Sequence, residues 1–466
     1  MRSSLLFILV MAIATCKSTG QSSALKPIYS WVSEEPAVSS LDEAKLFNFH
    51  SYDTYDPDQI FIHEIGGKRD DVSMFCVFRN VNGNKMGELK RGASCMEILD
   101  TAVVFHNWFT YHEQKILPRF VSIISMMNGP KFDNFGTNMY IGGDTKFKYG
   151  FQGEVAEILY FDQILENKNQ QIVESKLAMK YGIDLREYDD YLNGNGHPIW
   201  TFSQNGRYTH NITFIGKDRL TDLDQRQSNN VNNEISLILS LNDLQISNAD
   251  NHSDILDGDY IFWSDDNENF GFKEDIASQV SMMPRKWKMN LNWNTAKDEL
   301  LKFSVAIQDI PNYDLKKHTY VLVSSSESGL KNMVGEFVKM DWDTKFGLYT
   351  AALPLRPYKG NYYFSFIQSE NDKHLKNVVS RTTQNSISLQ PNPVNTGQNI
   401  TIRLGCEDCG THKIQIMTKT GMVIKDILVS EFEVGNAIHH EFGMPGVYII
   451  HIANDRDQQN YKVIVI

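Results

Sequence analysis

Residues 388–404 read SLQPNPVNTGQNITIRL. Two prolines frame Asn392, a turn containing Gly397 follows, and then Ile400, Ile402 and Leu404 alternate with polar residues. Alternation at period two after turn residues predicts a β-strand opening a new unit. The stretches that follow, HKIQIMTKTGMVIKDILV (412–429), IHHEFGMPGVYIIHIAN (438–454) and YKVIVI (461–466), continue the pattern. They predict five to seven short strands in about 80 residues. Gly421 fits a hairpin turn, and Met444-Pro445-Gly446 breaks the chain before the next strand. In the last strand Tyr461, Val463 and Val465 share one face, and Lys462, Ile464 and Ile466 the other. The expectation is a small β-sandwich reaching residue 466.

Working outward, the same signature dominates the other residues. QIFIHEI (59–65), VSMFCVF (72–78), EISLILSL (234–241), DYIFWS (259–264) and GNYYFSFI (360–367) are short strand-like runs bounded by Gly, Asn and Asp. The fold class expected is all-β. One helix stands out in ENKNQQIVESKLAMKYGID (166–184). Asn167 and Gln170 have capping-box spacing, and Val173, Leu177 and Tyr181, with Ile172 and Ala178 beside them, form an apolar stripe. Gly182 follows as a left-handed C-terminal residue. This helix is expected on the side of a sandwich, without chemistry of its own. Residues 369–386 are polar with little alternation and read as a linker.

Composition bounds the function. The 466 residues are 41% hydrophobic and 22% charged, with a net charge of −12. That balance argues against a nucleic-acid surface, which needs clustered Lys and Arg. Residues 1–20 have Arg2, an apolar run from Leu5 to Ala14 and small polar residues, the order of a signal peptide cut after Gly20. A lipoprotein cut at Cys16 is the alternative. No later run is long and apolar enough for a transmembrane helix. Removing the signal leaves Cys76, Cys95, Cys406 and Cys409. An even number in an exported chain points to disulfides, with Cys76–Cys95 and Cys406–Cys409 the local pairings. Cys406 and Cys409 also have the spacing of a redox motif or half a zinc site, but a βαβ context and two further ligands are missing.

Two resemblances emerge. Pro391-Asn392-Pro393, Gly397, the Lys419-Thr420-Gly421 turn, Pro445-Gly446-Val447-Tyr448 and the terminal run from Lys462 to Ile466 closely resemble the C-terminal sorting domain of the type IX secretion system. The resemblance implies that residues 387–466 are an export address engaging that machinery. It also implies a secreted or outer-surface product. GEVAEILYFD (153–162), with Leu165 after it and IGGD upstream, resembles the closing strand of laminin-G-like, concanavalin A-type jelly rolls. That implies a laminin-G-like jelly roll with one flanking helix over residues 24–190. A second β-rich domain would span 191–368.

No catalytic constellation stands out. Glu154 and Glu157 lack the Glu-x-Asp-x-x-Glu string of jelly-roll glycosidases and read as solvated and edge carboxylates. SSSESG (324–329) reads as a loop without a nucleophile elbow, and His439-His440 point to opposite faces of a strand. Calcium is a possible cofactor, though none is required. Asp133, Asn134 and Asp144 lie near the rim loop where laminin-G-like modules often hold it. Asp265, Asn267 and Asn269 alternate like an EF-hand, but Gly271 comes one position late and Ile276 replaces the closing Glu. Trp31, Trp108, Trp200, Trp263, Trp287, Trp293 and Trp342 are candidate sugar-stacking residues; Trp263 and Trp287 are expected in a core, and HNWFTYH (106–112) is the best exposed candidate, although buried packing is the favoured reading there too. The function expected is a non-enzymatic surface protein that binds glycan or a matrix partner. A structural adhesin binding protein and a jelly-roll glycoside hydrolase are the alternatives.

Overall fold

A computed structural model describes residues 25–27, 29–34, 45–56, 60–64, 72–81, 87–91, 94–98, 103–106, 122–128, 138–142, 151–233, 237–275, 280–297, 299–355, 357–370, 387–404, 412–429, 438–453 and 458–466. The described chain is all-β with one long helix, as the alternation predicts. Residues 1–20, most of 369–386, and Asp133, Asn134, Asp144, Trp108, Cys406 and Cys409 lie outside the described residues.

The first module holds two antiparallel five-stranded sheets. One orders Tyr29–Val32, Gly153–Phe161, Val72–Asn80 and Ser122–Asn128, with Asp53–Tyr55 also paired to Gly153–Phe161. The other orders Ile60–Glu64, Asn138–Gly142, Gly87–Arg91, Ser94–Ile98 and Val103–His106. Cys76 sits mid-sheet, in register with Ile124 and Ile158. It is a fully buried free thiol, and Cys95 belongs to the other sheet. The expected Cys76–Cys95 disulfide is therefore corrected to a buried thiol that packs like a small apolar side chain, its pKa pushed up by burial.

The middle module is a sandwich. A nine-stranded sheet, including His210–Asp218, Tyr260–Asp265, Trp287–Trp293 and Tyr358–Ser369, faces a five-stranded sheet containing Leu237–Leu241, Glu299–Val305, Leu348–Leu355 and Asp341–Asp343. Their shared core contains Trp263, Trp287, Trp293, Phe364 and Phe366 from one side and Leu239, Leu301 and Phe303 from the other. Trp287 stacks on Phe364 at 5.3 Å, and Phe303 meets the same ring edge-on at 5.1 Å. Trp263 and Trp287 are core residues, as expected.

The helix Asn167–Tyr181 is more deeply placed than its stripe predicts. Val173, Leu177 and Tyr181 enter one core with Phe75, Leu159 and Phe161. Ala178 and Met179 enter a second with Trp200, Phe214 and Phe262. Two opposed apolar faces explain why a single-stripe reading placed it on a side. Its N-terminal flank is Glu166 with no side-chain cap, which corrects the Asn167 cap, while Gly182 is left-handed (φ 61°) as expected. A Cβ on Gly182 would lie 2.0 Å from the Asn229 carbonyl oxygen, so glycine is required there.

Polar groups lock this helix between the modules. Asn48, left-handed at φ 47°, donates its amide to the Lys180 carbonyl (2.9 Å) and to Ser228 Oγ (2.8 Å). Its Oδ1 accepts from the Asn229 backbone N–H at 2.6 Å. Glu157, expected at an edge, is instead 2% exposed, with Lys180 Nζ at 2.6 Å and the Tyr181 hydroxyl at 2.8 Å. Burial alone would raise its carboxyl. The charges of Lys180 and Lys176 and the Lys180 and Tyr181 hydrogen bonds hold it below the usual carboxylate range. Glu154 pairs bidentately with Arg79 at 2.9 and 3.0 Å. Both carboxylates are thus committed to structure. The helix also carries polar chemistry that its reading omitted.

Two outcomes follow for this junction. Asn48→Ala strands the part-buried Lys180 carbonyl and Asn229 N–H, each costing about 1–3 kcal/mol. A loss of roughly 3 kcal/mol in urea unfolding is expected. His50 contacts Gln225 Oε1 at 2.7 Å and the Tyr181 ring at 5.6 Å. Burial, then the neighbouring Lys180 charge, pushes its imidazole down to about 3. The unfolded chain therefore binds more protons between pH 6.5 and 3, and stability falls as pH falls through that window. The residue keeps some solvent exposure, so the slope stays below the one-proton limit of about 1.4 kcal/mol per pH unit. His50→Gln should flatten the profile measured by unfolding at pH 4, 5, 6 and 7.

Candidate functional site

Residues 387–466 form the sandwich expected, with seven described strands. Ile387–Gln390, Asn399–Leu404 and Ile438–Glu441 make one sheet. Val423–Val429, His412–Thr418, Gly446–Ala453 and Gln458–Val465 make the other. Ile400, Ile402, Ile414, Ile416, Ile450 and Val463 fill the space between them. In the last strand Val463 and Val465 are buried while Lys462, Ile464 and Ile466 are exposed, the faces that alternation assigned.

The motif residues turn out to be the closure of this sandwich. Pro391 and Pro393 are exposed and leave Asn392 to supply polar contacts through its side chain. Asn392 Nδ2 donates to the Lys462 carbonyl at 2.8 Å, and the Ile464 N–H donates to Asn392 Oδ1 at 3.0 Å. One amide thus substitutes for a strand residue. Backbone pairing then takes over: Val394 N–H to Ile464 O, Ile466 N–H to Val394 O, and Thr396 N–H to Ile466 O. Gly397 turns the chain at φ 79° and donates to the Phe442 carbonyl. Gly421 (φ 85°) closes a hairpin in which the Thr418 N–H donates to Met422 O. Tyr448 packs on Phe442 at 4.4 Å, and its hydroxyl holds the Met444 carbonyl at 2.9 Å across Pro445-Gly446.

A second candidate lies on the middle sandwich. The register row Leu237, Val305, Tyr349, Trp342 begins in the core and runs out at the edge strand Asp341–Asp343. There Trp342 is 49% exposed, with its ring 5.2 Å from Tyr349. Tyr313 extends the aromatic rim, 6.0 Å from Tyr349. Trp200, Trp263, Trp287 and Trp293 are buried and cannot stack a ligand. Nothing local in DWD (341–343) distinguishes Trp342 from the core tryptophans; its place on an edge strand does.

The other expected sites resolve structurally. Asp265 Oδ2 and Asn267 Oδ1 face the Arg285 guanidinium at 3.6 and 3.4 Å, and Arg285 Nε donates to the Glu268 carbonyl at 2.6 Å. An arginine occupies the centre of that loop, where the EF-hand comparison would place an ion. His439 and His440 diverge as expected: His439 meets Thr401, and His440 packs against Phe442. Residues 324–329 are not simply a loop, because Ser326 caps the short helix Glu327–Lys331 by accepting from the Gly329 N–H. Among the described residues, no group of three or more His, Cys, Asp or Glu is placed to hold a metal ion.

Residues 388–466 match the model of the secretion system C-terminal sorting domain. The C-terminal sandwich is a type IX sorting domain. It marks the chain as secreted or cell-surface and as a client of the type IX machinery. Residues 169–351 match a domain of unknown function (DUF8202), beginning inside the long helix. No curated protein matches the chain. Among solved structures, it is similar to a polysaccharide lyase at 9% identity and a TM-score of 0.14, covering 50% of this chain and 34% of that one. It thus spans about a third of the lyase's length. A biofilm-associated protein BSP domain aligns at 8% identity and a TM-score of 0.15, covering 89% and 80%. A Paenibacillus cycloisomaltooligosaccharide glucanotransferase aligns at 10% and 0.15, covering 72% and 45%. Scores this low carry no argument about function. Among the described residues, no helix is long and apolar enough to cross a membrane.

Asn392→Ala removes both side-chain bonds to the last strand and should cost about 1–2 kcal/mol, because net hydrogen-bond contributions are near 1 kcal/mol each. Export should fall in proportion to the unfolded fraction of the sandwich, and deletion of residues 388–466 should retain the chain inside the cell envelope. Immunoblots of fractionated cells and culture medium read both.

Proposed function

We propose that this chain is an exported, non-catalytic surface protein that recognises glycan, with a laminin-G-like jelly roll as its first module. The observation that carries the reading is the exposed Trp342 ring beside Tyr349 and Tyr313. A large flat apolar face at a sheet edge, held at a fixed angle by a second ring, suits the C–H face of a sugar. Exposed Asp341 on the same strand supplies a polar rim acceptor, and Lys302 Nζ holds Asp343 at 3.6 Å. The sorting domain supports this reading, since it delivers the cargo to where extracellular glycans are found.

Binding of the full chain to a glycan panel, with calcium and then with EDTA, tests it. Trp342→Ala should weaken the binding found by about tenfold, equivalent to about 1.4 kcal/mol. Stability should change little because the ring is half exposed. EDTA-sensitive binding would assign calcium a part in recognition. Absence of any glycan binding, or binding indifferent to Trp342→Ala, rejects the rim as a glycan site; retention of a protein ligand instead favours the adhesin reading.

A further inference from the structure

After the helix Asn167–Tyr181 and Gly182, the chain makes the turn Arg186-Glu187-Tyr188-Asp189. The Asp189 N–H closes it by donating to the Arg186 carbonyl at 3.0 Å. Tyr188 takes the third position of this turn at φ 78°. Glycine is the unstrained residue there, and a bulky side chain with that backbone is an outlier that its surroundings must hold in place. The strain is not offset by burial, because Tyr188 is 70% exposed. Among the described residues, Tyr188 and Trp342 are the two aromatic side chains in the exposed class of large apolar residues.

The exposed ring is nevertheless braced. It meets the Phe202 ring at 4.7 Å and 60°. Phe202 is rooted against the core that contains Tyr191 and Trp200, and its N–H donates to Asp190 Oδ1 at 2.9 Å. Gln171 Nε2, on the helix, donates to the Asp190 carbonyl at 2.9 Å, so turn, helix and rings share one frame. The result is a corner with one half-buried aromatic wall and one exposed one. Charge around it is one-sided. The Tyr188 hydroxyl donates to the Glu187 carboxylate, and Asp189 follows directly in the chain. Among the described residues neither carboxylate has a cation within ion-pair distance; Arg186 lies 3.9 Å from Glu174 instead. Asp184 is committed elsewhere, accepting from the Asn211 and Ile212 N–H groups. An exposed aromatic face between two unpaired carboxylates attracts a cation carried on an apolar body.

We infer that this corner binds a sugar unit bearing a free, protonated amine, its C–H face on Tyr188 and its ammonium toward Glu187 and Asp189. The ring quadrupole and both carboxylates favour the ammonium, and an N-acetylated unit offers them no charge. A lysine side chain carries the same charge, but docking freezes its rotamers, whereas a pyranose ring is rigid before it binds. The corner lies on the turn after the helix, and Trp342 on the edge strand Asp341–Asp343, so the site stands independently of the aromatic rim.

Calorimetric titration of the full chain with a glucosamine hexamer, its fully N-acetylated form and a lysine hexamer tests the assignment. In weakly acidic buffer the glucosamine hexamer should bind, and the other two should bind about fivefold more weakly or worse. Tyr188→Gly leaves the net charge unchanged and relieves the left-handed backbone. It should weaken binding about fivefold while keeping or raising the melting temperature, a combination that a purely structural tyrosine would not give. Tyr188→Phe keeps the ring and should keep the binding. Glu187→Gln with Asp189→Asn, which removes two carboxylates without ion partners, should weaken binding several-fold at an unchanged melting temperature. Trp342→Ala should leave this binding unchanged, which separates failure here from failure at the rim. No binding of the glucosamine hexamer, or equal binding of its N-acetylated form, would overturn the proposal. So would a lysine hexamer that binds as tightly, which would make the corner a basic-peptide site. Binding indifferent to Tyr188→Gly or to the paired carboxylate change, or lost only in Trp342→Ala, would overturn it as well.

Discussion

Asn48 holds the first two modules in register with each other. Its left-handed backbone aims a single amide at the Lys180 carbonyl, the Ser228 hydroxyl and the Asn229 N–H. Those groups belong to the helix Asn167–Tyr181, the strand Gln227–Ser228 and the residue that follows it. Because all three partners are main-chain or short side-chain groups, the geometry tolerates little sliding. Gly182 reinforces this, since any side chain there would strike the Asn229 carbonyl. The helix is therefore a shared wall, with one face in each of two cores.

Buried charge around that wall is matched locally. Glu157 has Lys180 and Tyr181, and Glu154 has the Arg79 fork. Farther along, Arg285 gathers the oxygens of its loop onto one guanidinium. Breaking any of these pairs leaves an uncompensated charge, which costs far more than the pair itself contributes. Lys288, 6% exposed, departs from this pattern: its Nζ donates to the Gln204 carbonyl, and the Glu327 charge acts on it without an ion-pair contact among the described residues.

The sorting domain obeys a different constraint. Its last strand would end as an exposed edge, open to pairing with another chain. Asn392, Val394 and Thr396 cover that edge in parallel, so the two ends of the domain lie together. The Pro-Asn-Pro segment and the final residues, about 70 positions apart in the chain, form one structural feature. The type IX address is thus a folded surface assembled from both ends.

By itself the sequence determined the all-β class, the helix over residues 167–181, the faces of the last strand and the sorting motif. Each is written in short-range periodicity, turn chemistry or an ordered set of local motifs. It also placed Trp263 and Trp287 in a core, because both sit within strand-like apolar runs. Only the tertiary structure decided the second buried face of the helix, the burial of Glu157 and the free thiol at Cys76. It alone separated Trp342 from its buried counterparts and brought Lys288 beside Gln204, 84 residues away. These depend on which strand ends a sheet and which segment crosses it. Strand order is set by contacts between residues remote in the chain, and no local pattern encodes it.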